Sequence, residues 1–140
     1  MVKYHLYTDG GARGNPGPAA AGVVVCDDKL AVLRQVSKFL GIATNNQAEY
    51  QALIFGLGLI AKLAKGSLGS VEVRALLDSE LVVRHLTGEY RVKDANLRVL
   101  FDEVNRLSLK FGKVSFFHIR REQNKKADLL VNLELDKHSR

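Results

Sequence analysis

The first forty residues alternate apolar and polar positions with the period of β-strands. Residues 2–8 are apolar or aromatic at every second position, which predicts a strand that ends at Asp9. Residues 19–26 are almost continuously apolar and predict a buried strand, and residues 30–40 predict a third. The glycines and two prolines of residues 10–18 predict a loop, because proline cannot continue a β-ladder. This part of the chain therefore predicts an antiparallel meander.

A helical pattern follows the meander. Thr44 and Gln47 have the three-residue spacing of a capping box, and so have Asn46 and Glu49. The helix that begins here is expected to run to about residue 64. It is apolar nearly all round from residue 52 to residue 63, which predicts that it packs against its surroundings on more than one side.

The rest of the chain alternates strands with helices. An apolar strand at residues 71–77 ends in Asp78, and Asn124 is expected to cap the last helix. The other elements predicted are helices at residues 79–86, 97–111 and 125–137 and a strand at residues 114–119. A strand-helix-strand connection makes parallel neighbours. The order therefore predicts an α/β fold, in which helices flank a five-stranded mixed sheet made of an antiparallel meander and parallel strands.

The composition is that of one folded domain, which we expect to comprise residues 1–140. With 46% hydrophobic residues, a chain of this length can bury a sizeable core. The single cysteine, Cys26, excludes an internal disulfide and a cysteine cluster for zinc, and it favours a reducing compartment. No apolar run approaches the length of about 20 residues that spans a membrane, and the strand pattern at the N-terminus leaves no room for a signal peptide. We expect a cytoplasmic monomer with no membrane contact and no obligatory protein partner.

The charge balance indicates a polyanionic partner. Lysine and arginine outnumber aspartate and glutamate by 21 to 15, so the net charge is +6. Four of the cations lie close together near the C-terminus: Arg120, Arg121, Lys125 and Lys126. Charge alone leaves open whether the partner is nucleic acid or whether the lysines are simply solvated.

Four carboxylates are placed where they could meet. Asp9 and Asp78 each close a predicted strand, while Glu49 and Asp128 lie in the predicted first turns of helices. Each position alone has a structural explanation, since acids favour helix N-termini and strand ends return to water. In a sheet of this order, however, the strands of Asp9 and Asp78 can be parallel neighbours, with both carboxylates at one edge. The sequence therefore predicts an acidic cluster at that edge.

A carboxylate cluster of this kind calls for hard divalent cations. Four carboxylates in one place raise each other's pKa values unless a cation is present. Mg²⁺ prefers oxygen ligands, and two such ions can stabilise both the attacking and the leaving oxygen of a phosphoryl displacement. We expect two divalent ions, with Mg²⁺ as the physiological metal and Mn²⁺ as a possible substitute. The acids would then hold metal while the basic surface holds phosphates.

At these residues the sequence resembles the type 1 ribonuclease H family. The segments that carry the resemblance are residues 7–17 (YTDGGARGNPG), 44–53 (TNNQAEYQAL), 78–79 (DS) and 121–128 (REQNKKAD). The resemblance implies a ribonuclease H-like fold and an endoribonuclease that hydrolyses the RNA strand of an RNA-DNA hybrid with divalent metal. It also implies that the family's four catalytic carboxylates correspond to Asp9, Glu49, Asp78 and Asp128.

Two of these segments, residues 7–17 and 44–53, also supply candidate substrate-binding residues. In the first loop, glycines let backbone amides approach nucleic acid closely, and Asn15 can both donate to and accept from a ribose hydroxyl. The start of the long helix adds polar groups and free amides that favour an anion. The candidates are Gly10, Gly11, Asn15, Thr44, Asn45, Asn46 and Gln47. That Thr44, Asn45 and Asn46 only cap the helix stays open, and capping and binding can coexist.

Two departures from the family pattern bear on mechanism. Some members carry a basic protrusion rich in lysine and tryptophan, whereas only residues 87–91 occupy that place here and the chain has no tryptophan, so hybrid affinity is expected to be lower. Some members also place a mobile histidine in a long loop before the last helix. Here that loop is short, and His118 falls in a predicted strand. Arg121, seven residues before Asp128, is the better candidate to assist catalysis, by stabilising negative charge rather than by moving a proton.

Three other functions would share part of this pattern. A dinucleotide site in the glycine-rich loop is excluded by context, because that motif opens a helix and this loop leads into a strand. A non-catalytic module that binds hybrids or double-stranded nucleic acid would gain nothing from carboxylates that face phosphates. A related metal-dependent nuclease or strand-transfer enzyme would share the acids but not the asparagine-rich helix start.

Overall fold

The computed structural model describes residues 1–139 and contains one five-stranded mixed sheet in that range. The strand order is β3-β2-β1-β4-β5, with antiparallel pairs β1/β2 and β2/β3 and parallel pairs β1/β4 and β4/β5. The strands are β1 Val2–Ala12, β2 Gly17–Cys26, β3 Val32–Ala43, β4 Val71–Leu77 and β5 Lys113–His118. The predicted combination of an antiparallel meander with parallel strands is confirmed.

Four α-helices flank the sheet. They are α1 Asn45–Leu63, α2 Glu80–Leu86, α3 Ala95–Ser108 and α4 Lys125–Lys137, and short 3₁₀ turns lie at Leu68–Ser70 and Arg121–Gln123. Alternate residues of β2 face opposite sides of the sheet. Val23 and Val25 pack in the core beneath α1, whereas Val24 and Cys26 pack against Ala127 of α4. The sheet is therefore covered on both faces, which explains why β2 is apolar throughout.

Helix α1 packs against both the sheet and α3, as its all-round apolar sequence predicts. Leu53, Leu57 and Ile60 are fully buried in the main core, and Gly56 makes room for Leu6 of β1. The helix begins after Thr44 with the predicted capping box, because the Thr44 hydroxyl accepts from the Gln47 N–H and the Gln47 side chain accepts from the Thr44 N–H. One side of α1 stays half-exposed and faces β3.

The predicted loop at residues 10–18 was wrong. Strand β1 continues to Ala12 and β2 begins at Gly17, so the turn comprises only residues 13–16. Gly10 and Gly11 remain in the β1/β2 ladder opposite alanines, and the absence of a side chain at Gly10 serves packing rather than a turn. Strand β3 likewise runs over Val32–Ala43 instead of residues 30–40, because residues 27–30 form the turn that precedes it.

Candidate active site

Asp9 and Asp78 lie side by side because of the way two parallel strands end. The pairing of β1 with β4 finishes at Thr8 and Leu77, and each carboxylate belongs to the next residue along the chain. β1 itself continues beyond Asp9 in its ladder with β2, so Asp9 does not close its strand as predicted. This extension holds Asp9 in regular backbone beside the free end of β4.

Glu49 reaches the same edge from α1, where it lies in the second turn and not in the predicted first. The Gly10 N–H donates a 2.8 Å hydrogen bond to Glu49 Oε1. A Cβ at residue 10 would lie only 2.2 Å from the backbone carbonyl carbon of Ala48 and 2.5 Å from the Glu49 nitrogen. Glycine at this position therefore lets α1 approach β1 closely enough for the main chain to hold the Glu49 carboxylate.

Three of the four carboxylates form a tight group, and the fourth lies beside it. One oxygen each from Asp9, Glu49 and Asp78 falls within 4.8 Å of the others. Asp9 and Glu49 are only 7% and 8% exposed. Asp128 lies in the first turn of α4, as predicted, and stands close enough to Asp9 for its charge to raise the pKa of Asp9. The structure thus brings together all four acids that the sequence singles out.

Burial and mutual repulsion raise the pKa values of three acids of this cluster when no cation is present. Burial, then the charges of Asp78 and Asp128, raise the pKa of Asp9 to about 8. Burial and the same kind of repulsion raise the pKa of Glu49 well above its usual range, and burial also raises the pKa of Asp78. The guanidinium of Arg121 opposes all three shifts.

The donor set fits a hard divalent cation. Carboxylate oxygens are the ligands that Mg²⁺ and Mn²⁺ favour in proteins. In the described part of the chain, Asp78 Oδ2 is buried and has no hydrogen-bond partner, an arrangement that costs free energy unless something else contacts the oxygen. A bound cation would contact this oxygen and would relieve the repulsion that raises the pKa values.

Asn124 is a structural member of the site that the sequence analysis did not foresee in this role. It occupies the cap position of α4, but its side chain makes no capping bond. Its Nδ2 instead donates a 2.9 Å hydrogen bond to the main-chain carbonyl of Thr8, and the main-chain carbonyl of Asn124 accepts from the Asp128 N–H. Asn124 is 2% exposed, and its amide partly opposes the rise that burial causes in the pKa of Asp78. One asparagine therefore fixes the start of α4 against β1, beside Asp9.

The turn at residues 13–16 is tied to the start of α1 by two asparagines. The Asn45 N–H donates a 2.9 Å hydrogen bond to Asn15 Oδ1, and the Ala12 N–H donates another of 2.9 Å to Asn45 Oδ1. The two predicted substrate-binding segments consequently lie side by side at one exposed surface. Their side-chain amide nitrogens are free to donate in the hydrogen-bond pattern of residues 1–139.

The other predicted binding residues differ in their exposure and in the hydrogen-bonding groups that they leave free. Asn46 is half-exposed and forms no side-chain hydrogen bond within residues 1–139, whereas Gln47 commits its side-chain oxygen to the capping box. Gly10 is buried and its N–H is already used by Glu49, so this amide is not available to a nucleic acid. Gly11 faces Val131 of α4 at an ordinary contact distance of 3.5 Å for an added Cβ.

His118 and Arg121 lie at and just after the end of β5, the strand that pairs with β4 as far as Leu77. His118 is the last residue of β5, paired with Leu77 immediately before Asp78, so the predicted strand placement is confirmed. Arg121 is exposed and begins the 3₁₀ turn that leads into α4, rather than lying in an open loop. Its charge acts on Asp9, Glu49 and Asp78, whereas that of His118 contributes least among the causes of the Asp78 shift.

Comparison with known proteins agrees with this geometry. A family model described as reverse transcriptase-like matches residues 7–134. RNase H1 from the halophilic archaeon Halobacterium salinarum superimposes with a TM-score of 0.90 at 38% identity, covering 96% of this chain and 98% of that one. The chain belongs to the type 1 ribonuclease H family. LC11-RNase H1, isolated from compost, is another family member of the same fold. Its complex with an RNA/DNA hybrid matches with a TM-score of 0.85 at 44% identity, covering 96% of this chain and 98% of that one.

One relative is much longer than this chain. A bifunctional protein of Mycobacterium tuberculosis is 39% identical over 136 residues, which cover 96% of this chain but 36% of the relative. The chain thus spans about a third of that protein's length. None of the helices within residues 1–139 has the length and apolar character needed to cross a membrane.

Proposed function

We propose that this protein is a metal-dependent endoribonuclease that hydrolyses the RNA strand of RNA-DNA hybrids. The observation that carries the proposal is the group of Asp9, Glu49 and Asp78 oxygens within 4.8 Å of one another, beside Asp128, in a chain of net charge +6. A relative of 44% identity and the same fold has been crystallised with an RNA/DNA hybrid, which supports the same substrate class here. A binding module would not benefit from so costly a cluster of acids.

The four carboxylates are proposed to hold two divalent ions, Mg²⁺ by preference and Mn²⁺ as a substitute. When bound, the ions would supply a nucleophilic water and charge stabilisation at the scissile phosphate. The protein contributes the alignment of the acids, through the Gly10 N–H on Glu49 and the Asn124 side chain between β1 and α4. Because these contacts are made before substrate arrives, the acids need little reorganisation when it binds.

Arg121 is proposed to stabilise negative charge on the phosphate. It is exposed at the rim of the cluster, and its charge acts on three of the carboxylates. Guanidinium stays protonated at any working pH, so Arg121 would not shuttle a proton. His118 remains the alternative, since it ends a strand next to Asp78 and is itself exposed.

Recognition of RNA is proposed to depend on the surface formed by the 13–16 turn and the start of α1. Ribose is distinguished from deoxyribose by its 2′-hydroxyl, which both donates and accepts hydrogen bonds. Asn46 is the strongest candidate to read it, because its side chain is half-exposed and makes no hydrogen bond within the described residues. The remaining candidates are Gly11, Asn15, Thr44, Asn45 and Gln47, with Gly10 acting through Glu49.

The test is cleavage of matched duplexes by carboxylate variants. Wild type should cut the RNA strand of a hybrid in Mg²⁺ and should leave double-stranded DNA and double-stranded RNA intact. Asp9→Asn and Asp78→Asn should abolish cleavage with the fold retained, because a neutral amide is a poor ligand for a hard cation. Asp102→Asn, at an exposed carboxylate on α3, is the matched control. Full activity in either site variant, or in excess chelator, would refute the assignment.

The compartment, the assembly and the domain organisation belong to the same proposal. The lone cysteine is buried in the structure, which suits a reducing cytoplasm. We propose a monomer made of one catalytic domain over residues 1–140, with no obligatory partner. Light scattering at several protein concentrations tests the assembly directly.

A further inference from the structure

The half-exposed side of α1 and the neighbouring strand β3 enclose a groove outside the catalytic site. The groove has a volume of about 530 Å³, and its apolar floor is built from aliphatic and aromatic side chains of both elements: Leu40, Ile54, Phe55 and Leu59. Along α1 it extends from Gln51 to Lys62, a rise of about 17 Å. That length accommodates roughly five residues of extended chain.

Positive charge flanks this apolar floor. Lys38 of β3 and Lys62 of α1 line the groove, and no acidic residue lines it in the part of the chain that the structure describes. The Lys38 ammonium lies 5.0 Å from the centroid of the Phe55 ring, so it already covers part of the floor. Neither lysine forms an ion pair within residues 1–139. The groove therefore combines apolar contact with uncompensated positive charge.

β3 adds main-chain hydrogen-bonding capacity to the groove. It lies at the edge of the sheet and pairs only with β2, so one side of its backbone is unpaired in the described sheet. An extended peptide can add to such an edge through main-chain hydrogen bonds while its alternate side chains enter a neighbouring apolar pocket. Edge strand, apolar floor and lysines thus present one continuous surface.

We propose that this groove is a docking site for an extended acidic segment of a partner protein that carries large apolar side chains. The apolar side chains would cover Phe55 and Leu59, and the carboxylates would pair with Lys38 and Lys62. A second copy of this chain is a poor occupant, since each copy has a net charge of +6. A nucleic acid would satisfy the lysines but would leave the apolar floor exposed.

Direct binding of a defined peptide tests the proposal. The probe is a fluorescein-labelled decapeptide in which aspartates alternate with leucine and phenylalanine, and its control has serine at every apolar position. Wild type should bind the apolar peptide and should bind the serine peptide at least tenfold more weakly. No binding of the apolar peptide up to about 1 mM, or equal binding of both peptides, would overturn the proposal.

Two variants place the binding in the groove. A Cβ at Gly58 meets no atom within 4 Å, so Gly58→Leu should fill the groove without disturbing the core and should weaken binding at least tenfold. Lys62→Glu should do the same by reversing charge, whereas Lys113→Glu on β5, at the opposite edge of the sheet, should leave the affinity unchanged. Unchanged peptide affinity in both groove variants would overturn the proposal.

Cleavage assays separate this site from the catalytic one. Gly58→Leu and Lys62→Glu should cut a hybrid at the wild-type rate, because neither residue belongs to the carboxylate cluster or to the surface that faces it. If the variants instead lose hybrid affinity while the peptide fails to bind wild type, the groove contacts nucleic acid and the proposal is wrong. Peptide binding needs no catalysis, so its outcome is independent of the proposed activity.

Discussion

Asp9→Asn is expected to stabilise the metal-free protein while it removes the proposed activity. Burial and neighbouring carboxylates raise the pKa of Asp9 from 3.8 to about 8. Between these two values, the folded protein retains a proton that the unfolded chain has released. The free energy of unfolding therefore falls as pH rises through this window.

The size of the effect follows from the same shift. At pH 7, about three pH units above the pKa of Asp9 in the unfolded chain, keeping this carboxyl protonated lowers the free energy of unfolding by on the order of 4 kcal/mol. At pH 5 the reduction is nearer 1 to 2 kcal/mol. Asparagine has no proton to retain, so the variant should be more stable by up to these amounts. The free energy of unfolding of the variant should still fall with pH, though less steeply, because burial also raises the pKa values of Glu49 and Asp78.

Urea unfolding in excess chelator, at several values between pH 5 and pH 8, measures this difference. The advantage of Asp9→Asn should grow with pH, and Asp28→Asn at an exposed turn should show none. Added Mg²⁺ should stabilise wild type more than the variant, by about 2.7 kcal/mol at one hundred times the dissociation constant if only wild type binds. A variant that is no more stable than wild type at pH 7, with the same pH slope, would refute the reasoning.

Three other predictions concern single contacts in and around the site. Gly10→Ala should destabilise the protein by about 1 to 3 kcal/mol or more and reduce cleavage, because its Cβ would meet Ala48 backbone at 2.2 Å, whereas Gly58→Ala should be neutral or stabilising in thermal melts. Asn46→Ala should impair cleavage of hybrids with few ribonucleotides more than duplex affinity, and an equal loss on every duplex would assign it to general binding. Arg121→Ala should lower turnover more than His118→Ala, with neither as damaging as Asp9→Asn. A change confined to the Michaelis constant would mark Arg121 as a general phosphate contact.

The sequence predicts this fold well where one periodicity dominates. Strand β2 and helix α1 were placed to within two residues, because a continuous apolar strand and a capping box are both local signals. The segment around Gly10 misled the prediction, since glycine followed by proline is typical of loops. The reason for that glycine is the approach of α1 thirty-nine residues later, and no local pattern reports such a contact.

The site shows the same division between local and long-range information. The four acids could be predicted because the strand order makes β1 and β4 parallel neighbours, and because Glu49 and Asp128 lie near the N-termini of helices. Asn124 was expected to cap a helix, which is the usual use of asparagine at that position. Its actual partner is the Thr8 carbonyl, 116 residues away, and only the docking of α4 on the sheet reveals it.

The contacts that align the acids are also the contacts that hold the layers together. Gly10 joins β1 to α1, and Asn124 joins β1 to α4, each directly beside a carboxylate. Around them Thr8, Ala48 and Ala127 are fully buried. A repulsive cluster can persist only where the surrounding structure is strongly determined, since otherwise the carboxylates would separate and become solvated. The acids are thus placed where both faces of the sheet are covered, and a change that loosens either helix start should affect metal affinity before it affects the overall fold.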